Sequence, residues 1–443
     1  MRELSPNGLR AIVRAYHPIV RIADLRVGQA DAAVLGARGA FDPSIGAALD
    51  RKSYDGKLYY SYGVAELQIP SWYGLEFKAG TEEVVGDRLN PERTYGTTSY
   101  AGVKWNATSI VLDTRRAVLR QAGALQEGSL ADQRNAANDV QFDALVAYWN
   151  WVQSYAALGV LEDAVRVGAE RLRFVQLEYE GGARPAIDTT EALGQLQSFN
   201  SELEDARLDW LNSGLQLSAF LWTEDGRPVR WSDRVVPDSA SLALVTPALE
   251  LPPLGDMLAA LPNHPKLQSI GFKIGVLRTD QLLKQQYLLP KVSLYAGALS
   301  PGYFRTSEVT APLLQNNHKV ALDLSIPLFL REARGAFRGA RLKVDEALVT
   351  RDQTALELEV KVRSYYNGVL QLEAQIAAME GAFDSYRRLF TGERIRYEAG
   401  ESTLFLINAR ENKLLETRRK LIDLRAKWQK SRAGVLWAAG LLE

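Results

Sequence analysis

The chain has no cysteine among its 443 residues, which excludes disulfides, thiolate metal sites, a cysteine nucleophile and a lipid-modified N-terminal cysteine. That absence suits an oxidising compartment, where stray thiols are a liability. A net charge is missing too. The 53 basic side chains balance 53 acidic ones, so no bulk field favours nucleic acid or an anionic surface as partner. No run of about eighteen apolar residues occurs, which argues against a transmembrane helix and leaves β-strands as the means of crossing a bilayer. Histidine is scarce, with only His17, His264 and His318, and neither a catalytic constellation nor a metal-ligand cluster gathers around them. His17 and His264 each precede a proline, which points to one repeated structural role. No Gly-rich phosphate loop followed by Lys-Ser/Thr is present, so no nucleotide or other cofactor is expected. Met1 leads into helical sequence without a basic start, apolar stretch or cleavage site; the protein is expected either to be cytosolic or to have its leader outside this sequence.

What is present is organised around the stretch from Arg394 to Glu411. Leu358, Val362, Tyr365, Val369, Leu372, Ile376 and Met379 precede it at steps of four and three, the seam of a helix that packs like a coiled coil. Ile407, Leu414, Leu421, Leu424 and Trp428 follow it in the same way. Gly400 supplies the reversal between the two helices, and Ser402 or Thr403 can cap the returning one. The same device appears earlier, where Glu180-Gly181-Gly182-Ala183-Arg184-Pro185 leads into a helix near Asp188.

In the region 43–108 the period changes to two. Tyr73, Leu75, Phe77 and Ala79 alternate with small or charged residues, and so do Ala101, Val103, Trp105 and Ala107, which describes strands with one apolar and one polar face. Tyr54, Tyr59, Tyr60, Tyr62, Trp72, Tyr73, Tyr95, Tyr100 and Trp105 crowd this region, a density that suits an interfacial aromatic girdle or, equally, the core of a soluble sandwich. Val292 to Ala298 and Val320 to Ile326 alternate in the same way.

Taken in order, the elements read as two structural repeats. The first, 5–222, holds a helix 5–41 capped by Ser5, strands 43–108, a long helix 110–178, a tip 179–186 and a helix 187–222. An extended, proline-rich connection 223–252 follows. The second repeat, 253–441, holds a helix 253–286, strands 290–327, a long helix 329–396, a tip 397–402 and a helix 403–441. Two strands per repeat give four per chain, too few to seal a barrel, so several protomers must share one; three chains would supply twelve strands. Residues 58–69 either add a strand pair or form an external loop.

The order of elements, the tip Tyr397-Glu-Ala-Gly400-Glu-Ser-Thr-Leu-Phe-Leu-Ile-Asn-Ala-Arg-Glu411, the passage Leu322-Asp-Leu-Ser-Ile-Pro-Leu-Phe329 and the closing Ala439-Gly440-Leu441 resemble the TolC outer-membrane efflux protein family over residues 5–441. The resemblance implies a mainly α fold with a β-barrel portion (α+β), in which a trimeric α-helical barrel in the periplasm continues into a shared transmembrane β-barrel in the outer membrane of a Gram-negative bacterium. It implies a homotrimer in contact with outer-membrane lipid, a periplasmic adaptor and an inner-membrane pump, and the role of a passive exit duct in efflux or type I secretion, not that of an enzyme. In that family the tips close the periplasmic end: Tyr397 matches the tyrosine that helps hold the closed state, and Asp188 its acidic partner. The resemblance points to Gly181, Gly182, Gly400 and Glu401 for adaptor docking. The chain departs from the prototype where two aspartates ring the entrance, holding Leu406 and Ala409 instead, and Ser402 stands where a basic residue is expected. The constriction is therefore expected to be apolar, with Leu404, Phe405 and Leu406 as its candidates. The competing reading is a soluble coiled-coil scaffold whose strands form a small sandwich.

Overall fold

A computed structural model of the chain describes residues 2–86, 96–107, 111–244, 247, 249–302, 316–326 and 328–442. Tyr95, Thr108, residue 110 and Pro327, named above, lie outside the described residues. The chain divides into two units: residues 1–25, 131–268 and 353–443 form one, and residues 26–130 and 269–352 the other.

The helix expected over 5–41 is two helices, α1 (Pro6–Tyr16) and α2 (Pro18–Arg38), followed by a 3-10 turn at Gly39–Phe41. The break has a local cause. A residue before proline is pushed out of the helical region, and His17 sits at φ −68°, ψ 134°. Its Nδ1 accepts a hydrogen bond from the Ile19 N–H, so the histidine caps the helix that the proline starts. The second His-Pro pair does the same: His264, φ −57°, ψ 131°, accepts at Nδ1 from the Lys266 N–H at the start of a later helix.

After α2 the strand count departs from expectation. The stretch 43–108 holds four strands rather than two: β2 (Ser44–Tyr54), β3 (Lys57–Pro70), β4 (Leu75–Val85) and β5 (Gly96–Asn106), β1 being the short Arg2–Leu4. The hairpin between β2 and β3 turns on Asp55 and Gly56, with φ of 54° and 71°, as a two-residue type I′ turn requires. The reading from alternation located parts of β4 and β5 and left the segment from 58 to 69 open; that segment is most of β3, hydrogen-bonded on both sides.

A 67-residue helix, α3 (Thr114–Glu180), and α4 (Ala186–Ser218) come next. The connection expected to be extended contains β6 (Val235–Pro237), paired in parallel with β1, and the short α5 (Ser239–Ala243). Then come α6 (Leu254–Ala260), α7 (Pro265–Gln286), β7 (Lys291–Pro301), β8 (His318–Ser325), the 68-residue α8 (Arg331–Glu398) and α9 (Leu404–Ala439).

In the unit containing the N-terminus, Tyr148, Trp149 and Trp151 of α3 are buried with Leu9, Val13, Leu217 and Leu436. The Tyr148 hydroxyl bonds to the Leu4 carbonyl (2.9 Å), Asp238 (3.0 Å) and Ser241 (2.9 Å), tying the β1–β6 region to α3. A second cluster packs Leu358, Val362 and Val369 of α8 on Trp428 and Val435 of α9 and on Met257. These are the seam residues of the heptad-like pattern. In the other unit a single antiparallel sheet runs in the order β2-β3-β4-β5-β7-β8, all neighbours antiparallel. No helix among the described residues is long and apolar enough to cross a membrane.

Candidate functional site

The two tips are built by one backbone device. At the end of α3, Gly182 takes φ 75°, its N–H donates to the Tyr179 carbonyl, and the Ala183 N–H donates to the Glu178 carbonyl. At the end of α8, Gly400 also takes φ 75°, its N–H donates to the Tyr397 carbonyl, and the Glu401 N–H donates to the Arg396 carbonyl. Both are Schellman closures, in which a residue with no β-carbon satisfies the last carbonyls of the helix. Thr403 caps α9, accepting from the Leu406 N–H, whereas Ser402 bonds to Glu393.

The side chains of the first tip converge on Arg184. Its guanidinium lies 2.6 Å from Glu178 and 3.5 Å from Asp188, and its Cζ stands 4.1 Å from the centre of the Tyr397 ring. Arg184 thus stands between the Asp188 carboxylate and the Tyr397 ring. The direct hydroxyl–carboxylate bond expected between them is absent: the Tyr397 hydroxyl is buried with no hydrogen-bond partner among the described residues. The physical reason is competition. A fixed cation satisfies the carboxylates of Glu178 and Asp188 and covers the ring face, so the ring stacks instead of bonding end-on. Burial pushes the Tyr397 hydroxyl above the ordinary tyrosine range, and nearby Glu178 and Asp188 push the same way against the pull of Arg184.

Two turns deeper, Arg171 of α3 makes a bidentate pair with Glu411 of α9 at 2.6 and 2.8 Å and also donates to Asn408 at 2.8 Å. Asn408 passes the chain of bonds to Glu191 of α4 at 3.1 Å. The Arg171 and Glu411 side chains are 11% and 6% exposed, so this is a buried ion pair joining α3 and α9, and the Asn408–Glu191 bond extends the network to α4. Leu404 lies close by, 2% exposed among Val175, Ala192 and Ile407. Its side chain belongs to the packing of the hairpins. Of the other constriction candidates, Phe405 is 67% exposed and Leu406 39%. Gly181, Gly182, Gly400 and Glu401 are exposed at the turns.

The sheet supplies the second chemical surface. Because cross-strand partners share a face, Glu66, Lys78, Tyr100 and Tyr62 lie together on one side, where Lys78 pairs with Glu66 at 3.1 Å and the Tyr100 hydroxyl donates to Glu66 at 2.6 Å. The other side carries Ile45, Leu49, Phe77, Val320, Leu322 and Leu324, all exposed. No second sheet covers them among the described residues, so the strands are not the sandwich of the scaffold reading.

Residues 258–441 match the model of the family described as outer membrane efflux protein. No curated protein matches the chain in sequence. Among solved structures, the outer-membrane channel OprN superposes with a TM-score of 0.72 at 15% identity, covering 98% of this chain and 89% of that one. The CmeC outer membrane channel of Campylobacter jejuni gives 0.71 at 15% identity, over 98% and 85% of the two chains. The open state of the MtrE outer membrane channel of Neisseria gonorrhoeae gives 0.71 at 13% identity, over 98% and 88%. The fold is that of the TolC-like outer-membrane channels.

Within this TolC-like fold, the sequence located both turns, and the structure places Tyr397 and Asp188 against Arg184, a residue the sequence reading did not single out. Arg184 carried a signal: it is a basic residue between a Gly-Gly turn and the proline that precedes α4, with Asp188 four residues on and Glu178 at the other side of the turn. Arg171, Asn408 and Glu411 carried none, since charged residues on long helices are ordinarily solvated and only tertiary packing makes these three exceptional.

Proposed function

We propose that the protein is a passive outer-membrane exit duct: a homotrimer whose pooled strands form a pore in outer-membrane lipid and whose hairpin tips form a gate. It would complete a tripartite efflux or type I secretion machine, with a periplasmic adaptor docking at Gly181, Gly182, Gly400 and Glu401 and an inner-membrane pump supplying the energy. The observation that carries the reading is the six-stranded antiparallel sheet, whose apolar face is uncovered and whose two edges are unpaired among the described residues, and whose other face is polar and hydrogen-bonded. Such a surface is costly in water and stable where lipid meets one side and an aqueous bore the other. The match of residues 258–441 to the efflux family and the fold shared with outer-membrane channels support it.

Arg184, Asp188 and Tyr397 form the latch in this reading, with Phe405 and Leu406 as the exposed apolar candidates for the constriction. The test is single-channel recording in planar bilayers. The unmodified protein should give small, steady currents, and Arg184→Ala should enlarge them by freeing Asp188 and the Tyr397 ring together. Tyr397→Phe should leave the current unchanged, because the hydroxyl makes no bond. A protein that never conducts and stays dispersed without detergent would overturn the duct; conduction unaltered by Arg184→Ala would overturn the latch.

A further inference from the structure

The six-stranded sheet ends on β2 and β8, each with one edge unpaired among the described residues, and each would offer a row of unpaired backbone groups there. With six strands alternating in direction, β2 and β8 run oppositely, so copies of the chain can join β8 to β2 antiparallel without breaking the pattern. We propose that β8 of one copy pairs with β2 of the next in a single register, Lys319 opposite Asp50, and that three copies close a barrel of eighteen strands. The inference rests on the duct reading for the polar face turned inward and for the number three.

The register follows from the sheet itself. Cross-strand partners run from Ser44 through Gln68, Lys78, Gly102 and Gly297 to Lys319, so Ser44 and Lys319 stand at one level. Closed barrels do not join level to level, because their strands tilt by about 35–45°, which is roughly one residue of stagger per strand. The stagger must be even, since an odd step would turn polar residues to the apolar face. Its sense is fixed as well. The Leu299 N–H donates to Asn317, so polar-face residues of β7 bond toward β8, and L-chirality places β8 to the right of an upward β7 seen from the polar face. Right-handed twist with that face inward then brings residues further along β2, beyond Ser44, opposite Lys319.

Three staggers remain. A step of four places Lys319 opposite Ala48 and gives a tilt of about 25°, below the range of closed barrels. A step of eight sets Lys319 against Lys52, a like-charge pair, and runs β8 into the irregularity between Lys52 and Ser53. A step of six gives a tilt of about 35° and pairs all eight residues of β8. Lys319 then faces Asp50 on the polar side, with Ala321 opposite Ala48. On the apolar side Val320 meets Leu49, Leu322 meets Ala47 and Leu324 meets Ile45. Eighteen strands at that tilt make a tube about 33 Å across between backbones, against about 22 Å for twelve. The bore would be lined by Glu66, Lys78 and Tyr100.

Because the chain has no cysteine, the pairing can be read by disulfide formation without background. Ala48→Cys with Ala321→Cys places thiols on directly opposed small residues of a pair with close β-carbons, within disulfide reach. Oxidation in detergent should convert most of the protein to a covalent species that stops at trimer on a denaturing gel and collapses on reduction. Ala48→Cys with Asp323→Cys reports the step of eight, and Ala48→Cys with Lys319→Cys the step of four; preferential linkage in either overturns the register. A ladder ending at another copy number overturns the eighteen-strand count. No linkage in any pair, while the unmodified protein conducts in bilayers, overturns the edge pairing and leaves the duct reading standing; absence of conduction defeats the duct itself. As a second measurement, Lys319→Glu should lower the trimer yield about tenfold, and adding Asp50→Lys should restore it; no loss, or no rescue, counts against the Lys319–Asp50 contact.

Discussion

Removing one partner from the Arg171–Glu411 pair should be among the most damaging polar substitutions in the hairpins. Both groups are nearly enclosed, at 11% and 6% side-chain exposure, and the pair is bidentate with a further bond from Arg171 to Asn408. Arg171→Met leaves the Glu411 carboxylate desolvated with no cation, a situation that costs about 3–5 kcal/mol. Glu411→Gln keeps one acceptor for the guanidinium and should cost less, about 2–3 kcal/mol. The pair itself is a different matter. Replacing both partners by apolar residues of similar volume is often neutral, so Arg171→Met with Glu411→Leu should recover most of the loss. Native-state hydrogen exchange suits the question, because the hairpin ends can open without global unfolding. Amides of α3 near Arg171 and of α9 near Glu411 should lose roughly 150- to 4,000-fold in protection in Arg171→Met and regain most of it in the double variant, a loss of 1.4 kcal/mol being about tenfold. Wild-type protection in the single variant, or no recovery in the double, would refute the claim that an uncompensated buried charge sets the cost.

A β-carbon added at Gly434 would stand 2.5 Å from the Tyr365 ring, and one at Gly214 2.5 Å from the Trp231 ring; Gly434→Ala and Gly214→Ala should each destabilise by about 1–3 kcal/mol, seen as a lower thermal midpoint, despite alanine's better helix propensity. His17 and His264 should make the protein acid-sensitive. Burial lowers both, against the Ala219 carbonyl at His17 and against Asp139 at His264, and each accepts a backbone N–H at Nδ1, which only the unprotonated ring can do. Since the folded values lie below the unfolded one, the contribution is complete above about pH 6.5 and is lost as pH falls through that value toward the folded ones. The thermal midpoint should therefore drop on acidification, and His17→Asn with His264→Asn, which retain a capping acceptor, should flatten the dependence; an unchanged slope would refute the assignment. The conductance of Arg184→Ala and the linkage of Ala48→Cys with Ala321→Cys, described above, complete the set.

Much of the helical part was legible because long helices write their packing into spacing. Leu358, Val362 and Val369 recur at the seam period and are buried there, and Gly182 and Gly400 announce turns that only positive φ can make. The sheet was half legible. Strict alternation revealed 73–80 and 101–108, whereas β3, with Tyr59, Tyr60, Tyr62 and Val64 on neighbouring positions, breaks the binary pattern because tyrosine suits both faces of an interfacial strand. Asp55-Gly56 was the overlooked hairpin signal, and reading it would have given the fourth strand of that segment. At the tip, Tyr397 and Asp188 came from resemblance, but their relation did not, because a resemblance carries over residues and not the cation that this chain places between them.

The different strengths of the two tip clusters bear on how a gate could work. The Arg184 contacts are individually modest: two ion pairs, one to a Glu178 side chain that is 45% exposed, are worth about 0.2–1 kcal/mol each, and a guanidinium over a tyrosine ring about 0.5–2 kcal/mol. In the duct reading proposed above, they would together hold a closed arrangement by a few kcal/mol, an amount that a docking partner could offset by binding an open tip more tightly. Breaking the buried Arg171 pair costs about 3–5 kcal/mol with nothing outside to replace the lost contact, so in the same reading that pair would hold while the Arg184 cluster opened. Opening should then be confined to the tip side of Val175, with the turns at Gly182 and Gly400 moving on hairpins clamped at Arg171. Site-directed spin labels at Glu180 and Glu398 should report a distance change in Arg184→Ala, while labels on the other side of the clamp, at Asp163 and Arg418, should not; motion of equal size at both levels would refute a two-tier gate.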